Sequence, residues 1–227
     1  MITIPISGRD LPNAALFKIK VRGTRSLSAG TAGRPGKDVR INIVCLVATN
    51  NVMSSNPLYY LQAIRSGARD QSGGSLLCEA EYKQIEKHAA DLLAAGIRDC
   101  PFDAVVAAPT SRRCLQEPFL HAIKSLKLGL PDLTTDLTLV DPDVKSGSAH
   151  SMGERIANLT WTAGKDWTAF KHILIVDDVV SQGRTAVPLI HSIRDLCLAT
   201  HEPTFTLCAP LWIIRDDANS WLTLATE

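Results

Sequence analysis

Several things are scarce in this 227-residue chain, and each scarcity closes off a class of function. No apolar run approaches the roughly 20 residues that a membrane-spanning helix requires, so no membrane partner is expected. An excess of one charge sign is also missing: 24 Lys and Arg stand against 23 Asp and Glu, a formal net charge of +1. Such a balance gives no electrostatic reason to expect nucleic acid or an anionic surface as partner. Six cysteines are present, at 45, 78, 100, 114, 197 and 208, but none forms a Cys-x-x-Cys pair and no two have metal-ligand spacing. Several lie within apolar runs, as reduced buried thiols of a cytosolic protein do. His88, His121, His172, His191 and His201 likewise lack mutual ligand spacing and read as structural or surface residues. The opening residues lack a basic segment followed by a long apolar one, so no secretory leader is expected and the chain is assigned to the cytoplasm.

What is present is an ordinary globular composition, 45% hydrophobic, in a chain long enough for one large core or a core plus a small lobe. Residues 1–38 read as a peripheral N-terminal segment, and 39–227 as a single domain with its core at about 79–211. The Gly/Ser/basic stretch 22–37 imitates a P-loop through Gly30, Gly33, Gly36 and Lys37. It lacks the first glycine of that motif, a Ser or Thr after the lysine, and a preceding strand. It reads as a solvated loop.

Val39–Ala48 is a strand candidate, and 56–65 suits a helix with Pro57 in its first turn. Glu79–Ala95 has helical spacing, with Gly96 as its expected stop signal. From Phe102 strands and helices alternate. Strands are expected at 104–108, 137–140, 172–177 and 204–211, and helices at about 114–127, 152–160 and 184–198. That alternation argues for an α/β fold with a parallel, twisted sheet covered on both faces. Ligands of such sheets bind beyond the carboxyl ends of the strands. The rule brings three loops together, 109–113, 141–151 and 177–185.

The last of these is the most specific signal in the chain. Ile173, Leu174, Ile175 and Val176 run without alternation, as in a strand buried on both faces. Asp177 and Asp178 follow, then Val179 and Val180, then Ser181, Gln182, Gly183, Arg184 and Thr185, beyond which the pattern turns helical. Backbone N–H groups of such a turn, its hydroxyls and the helix dipole converge on an anion. Paired carboxylates suit a sugar diol or a magnesium-bound polyphosphate. Pro109, Thr110, Ser111, Arg112 and Arg113 form a second candidate anion turn at the end of another buried strand. In the polar loop 141–151, Lys145 could neutralise a leaving anion and His150 could move a proton.

The string 172–185 resembles the phosphoribosyl-pyrophosphate (PRPP) motif of the type I phosphoribosyltransferases, and residues 56–211 look like the ComF-type branch. The branch carries a Pro-x-Ser-Arg-Arg turn, matched by Pro109–Arg113, and an Arg-x-x-Asn pair, matched by Arg155 and Asn158. Departures are Gln182 and Arg184 within the loop, the segment 115–121, and the lack of an N-terminal cysteine zinc ribbon. The resemblance implies a parallel phosphoribosyltransferase sheet with a small variable N-terminal lobe. Asp177 and Asp178 would bind ribose, and Val179–Thr185 the 5′-phosphate. Pro109–Arg113 would bind pyrophosphate, with Lys145 on a flexible lid. Magnesium would enter with PRPP near the two acids rather than on protein ligands of its own. The expected reaction is transfer of phosphoribose to a base or amine nitrogen with release of pyrophosphate. Gln182, Arg184 and the lack of a recognisable acceptor segment also fit a non-catalytic protein that senses PRPP or a nucleotide, alone or with a protein partner. The acceptor and the oligomeric state are not legible.

Overall fold

The computed structural model describes residues 15–21, 39–49, 79–109, 116–127, 129–142, 151–197, 201–213 and 220–224. Among them lie strands β1 (Ala15–Val21), β2 (Val39–Thr49), β3 (Ala104–Ala107), β4 (Leu137–Leu139), β5 (Leu159–Trp161), β6 (His172–Val176), β7 (Val179–Val180), β8 (Thr204–Ile213) and β9 (Leu222–Leu224). Helices α1 (Glu79–Ile97), α2 (Glu117–Leu126), α3 (Met152–Ala157) and α4 (Ala186–Cys197) lie between them. The central sheet runs β3-β6-β8-β2-β1-β9, with β7 paired to β8. Strands β3, β6, β8, β2 and β7 are mutually parallel, whereas β1 is antiparallel to both β2 and β9. The molecule is therefore α/β with a mostly parallel central sheet flanked by helices.

The apolar runs explain the layering. Along β6, Ile173 and Ile175 enter one core with Val187, Leu189, Ile190 and Ile193 of α4. Leu174 and Val176 enter the opposite core with Leu93 and Ile97 of α1 and Phe119 and Ile123 of α2. Successive side chains of a strand point to opposite faces, so a strand covered on both sides must be apolar throughout. Helix α2 starts with Pro118 in its first turn, where the missing N–H costs nothing, and ends with Lys124 in the last turn, facing the negative end of the dipole. After α2 the chain passes the free edge of β3. The N–H of Val105 donates to Pro131 O at 3.0 Å, and that of Ala107 to Thr134 Oγ1 at 2.8 Å. An edge that would otherwise offer unpaired donors is thereby closed.

Four expectations are corrected. Ala15–Val21, read as part of a peripheral segment, is a strand of the main sheet, antiparallel to β2 and β9. Its own alternation, Phe17, Ile19, Val21, is a period-two pattern beside a Gly/Ser-rich run that masks it. Gly96 does not stop α1, because buried Ile97 extends the helix one residue further and Cys100 N then closes onto Ile97 O at 3.0 Å. Leu137–Leu139 is not a strand of the parallel sheet. It pairs antiparallel with Leu159–Trp161 in a separate ribbon, and α3 accordingly ends at Ala157 rather than near 160. β9 lies beyond the expected last strand. The helix expected at 56–65 and the 22–37 loop lie outside the described residues. Among the described residues no helix is long and apolar enough to cross a membrane.

Candidate functional site

The carboxyl ends of β3 and β6 are tied together before any loop begins. Ala108 N donates to Val176 O at 2.8 Å. Gln116, only 1% exposed at the entry to α2, donates from Nε2 to Ala108 O at 2.9 Å and to Val176 O at 3.1 Å. A side-chain amide with two donors can serve both carbonyls at once, so the neighbouring strand ends hold a fixed spacing. Nothing in the sequence around Gln116 marks it for this task.

Asp177 and Asp178 leave β6 at this edge, 4% and 9% exposed. Asp177 N donates to Cys208 O at 3.0 Å, which anchors the turn to β8. Each carboxylate caps the residue after it: Asp178 N donates to Asp177 Oδ1 at 2.9 Å, and Val179 N to Asp178 Oδ1 at 2.8 Å. These bonds to the following backbone N–H groups fix the orientation of both acids. Val179 and Val180 then re-enter the sheet as β7, opposite Leu211 and Trp212. Their side chains pack into the two cores, so any contact with an anion would have to come from their backbone.

The loop Ser181–Thr185 follows and opens α4, whose first turn is closed by Val187 N donating to Gly183 O at 2.8 Å. Gly183 has φ +77°, in the left-handed region that side chains disfavour. A Cβ there would stand 2.6 Å from Leu222 Cγ and 2.8 Å from Val187 Cγ2. The loop is thus pressed between α4 and the strand β9. Trp221 N donates to Gln182 O at 2.9 Å, and the Arg184 guanidinium lies 5.9 Å from the centre of the Trp221 ring, within cation–π range. Gln182, through its backbone carbonyl, and Arg184, through its guanidinium, therefore both meet the 220–222 segment.

On the other side of the loop lies a small open cleft. Pro109 beyond the end of β3, Leu139 and Leu159 from the ribbon, Arg155 from α3, Asn158 just after it, and Arg184 and Thr185 from the loop line it. Described residues of two of the three expected loops, 109–113 and 177–185, meet here, while Asp177 and Asp178 are not in its lining. Arg155 is 6% exposed, and its Nη1 reaches Arg184 O at 3.5 Å. Its position follows from the capping box at the start of α3. Ser151 Oγ accepts Glu154 N at 3.3 Å, while Ser151 N donates to Glu154 Oε2 at 2.6 Å. Three residues on, Asn158 holds the stem of the 141–151 loop, accepting Asp141 N at 2.6 Å and donating to Asp141 O at 2.9 Å. Burial holds the Arg155 guanidinium below its ordinary pKa, and the neighbouring Arg184 charge adds to that, with Glu154 opposing.

No protein-family model and no curated protein matches this sequence. The site must therefore be read from its own residues. Thr110, Ser111, Arg112 and Arg113, together with Lys145 and His150, lie outside the described residues. Among the described residues no three of His, Cys, Asp and Glu lie together as metal ligands. A magnesium ion that arrives on a polyphosphate needs only one or two carboxylates, and Asp177 and Asp178 fit that lesser demand. Among the described residues, Cys45, Cys197 and Cys208 are poor nucleophile candidates. Burial pushes the thiol of Cys45 up to about 12 and that of Cys197 to about 11, and it raises Cys208 as well.

Proposed function

We propose that this chain has a type I phosphoribosyltransferase-like fold, binds PRPP with magnesium, and transfers the phosphoribosyl group to a base or amine nitrogen with release of pyrophosphate. One observation carries the proposal: two buried acids at the end of a central parallel strand lead into a glycine-pinned hydroxyl loop that opens α4. Ligands of open α/β sheets bind at this end of the strands, and the helix start favours a phosphate.

In this reading the backbone N–H groups of Ser181–Thr185 and the hydroxyls of Ser181 and Thr185 hold the 5′-phosphate. Asp177 and Asp178 accept hydrogen bonds from the ribose hydroxyls and place negative potential beside the ring, where positive charge develops as the C1–O bond loosens. The Pro109–Arg113 turn and Lys145 receive the departing pyrophosphate. Magnesium bound near Asp177 and Asp178 would supply further charge neutralisation to it. The nitrogen nucleophile bonds to C1 with inversion and loses its proton to solvent or to a base such as His150.

Incubation of the full chain with PRPP, magnesium and a panel of bases and amines tests the reaction, read as pyrophosphate released. Release that depends on one acceptor is expected, and no release with any acceptor refutes the transferase. A second reading, a PRPP sensor without turnover, rests on Gln182 and Arg184, which stand where the resembled motif has smaller residues. It is distinguished by PRPP binding with no pyrophosphate formed.

A further inference from the structure

The ladder between β3 and β6 runs from Ala104 opposite Ile173 to Ala107 opposite Val176, and closes with Ala108 N donating to Val176 O at 2.8 Å. It cannot continue. Pro109 has no N–H to donate, and Asp177 N turns away to Cys208 O on β8 at 3.0 Å. The two chains part where each begins a loop. Gln116 stands at that point, its Nε2 donating to Ala108 O and to Val176 O. At 1% exposure it is an amide taken out of water, which is costly unless its donors are used. It supplies the tie that the backbone can no longer make, and so fixes how far apart the two loops start.

We propose that Gln116 is a positioning residue that sets the span between the Asp177–Thr185 site and the turn beginning at Pro109, so that one ligand with two anionic ends engages both at once. The inference rests on the PRPP reading, because PRPP is such a ligand, with a 5′-phosphate at one end and a pyrophosphate at the other. Joining two anionic groups in one molecule makes the second contact intramolecular. The gain over either half is lost when the half-sites stand at the wrong distance. A displacement on the order of 1 Å is enough to cost a large factor. Gln116 acts through the backbone of the two strand ends, so its removal leaves each half-site in place and breaks their cooperation.

The test titrates the full chain calorimetrically with ribose 5-phosphate, with pyrophosphate and with PRPP, each in the presence of magnesium, for the parent, Q116M and S192A. Methionine keeps the length of the side chain without its donors. S192A removes the acceptor of the Trp161 indole N–H, 2.8 Å away in the middle of α4, and controls for stability lost elsewhere. The parent is expected to bind PRPP more tightly than either half. Q116M should weaken PRPP about tenfold or more and change each half by less than about twofold, while S192A changes none of the three. PRPP bound by the parent no more tightly than its halves, PRPP affinity unaltered in Q116M, an equal loss for all three ligands, or the same PRPP-specific loss in S192A overturns the positioning role and leaves the PRPP reading standing. Should Q116M fail to melt cooperatively, Q116N, whose amide is one methylene shorter, replaces it, and a several-fold loss confined to PRPP is expected; unaltered affinity again overturns the role. A folded parent with no affinity for PRPP refutes the phosphoribosyl reading, and the positioning role falls with it.

Discussion

Replacing Gly183 with alanine separates two penalties whose sizes follow from the loop geometry. The first is conformational: φ of +77° costs a residue with a Cβ about 1 kcal/mol. The second is steric. The new methyl would lie 2.6 and 2.9 Å from Leu222 Cγ and Cδ1 and 2.8 Å from Val187 Cγ2. Leu222 and Val187 are both buried, so neither can rotate into solvent, and overpacking of this kind costs about 1–3 kcal/mol. G183A should therefore lose about 3 kcal/mol, or roughly 6–12 °C in melting temperature for a chain of this size. G164A supplies the reference. Gly164 has φ +86° with nothing within 4 Å of the position its Cβ would take, so only the conformational penalty of about 1 kcal/mol applies. Urea denaturation of the two variants and the parent measures the difference. In an L222A background the cost of G183A should shrink toward that of G164A, since neighbouring sites couple. A G183A variant no less stable than G164A, or one whose cost is untouched by L222A, would refute the claim that β9 braces the loop.

Three further outcomes follow from the described contacts. Q116L removes the amide that serves Ala108 O and Val176 O at 2.9 and 3.1 Å and should cost about 1–3 kcal/mol in urea denaturation; a neutral substitution would mean the strand ends hold their spacing without it. Burial opposes ionisation of Asp132, but the Lys124 ammonium and the Thr134 hydroxyl and N–H outweigh it and hold the carboxyl below its usual range. Stability from this group is complete above the unfolded value near pH 4 and fades as pH falls through the lowered folded value. D132N should flatten that acid limb of the stability curve, and an unchanged limb would count against the assignment. Iodoacetamide at pH 8 should leave Cys45, Cys197 and Cys208 unlabelled in the native chain and label all three in urea, because their raised pKa values leave almost no thiolate. Peptide mapping that finds any of them labelled as fast as in the unfolded chain would contradict their burial.

The sequence was most legible where one constraint ruled a whole segment. The unbroken Ile173–Val176 run could satisfy only a strand covered on both faces, and the Gly/Ser/Thr string after it could only turn. The ribbon β4–β5 was illegible because Leu137–Leu139 and Leu159–Trp161 are three-residue strands, too short for periodicity to separate them from helix ends. β1 carried a readable alternation but sat beside a glycine-rich run that dominates local composition. In the candidate site, the acids and Gly183 were read from the motif. The contacts of Gln182 and Arg184 with Trp221, and of Gln116 with two strand ends, depend on residues distant in sequence and left no local trace. Arg155 did leave one, its three-residue spacing from Asn158, which the fold converts into two anchors on one short helix.

Calorimetric titration of the full chain with PRPP in the presence of magnesium tests the central claim most directly, with D177N and D178N alongside the parent. The account predicts saturable binding to the parent and a loss of about tenfold or more in each variant, with both variants still unfolding cooperatively. No heat of binding to the folded parent at millimolar PRPP, or equal affinity in both variants, would contradict it.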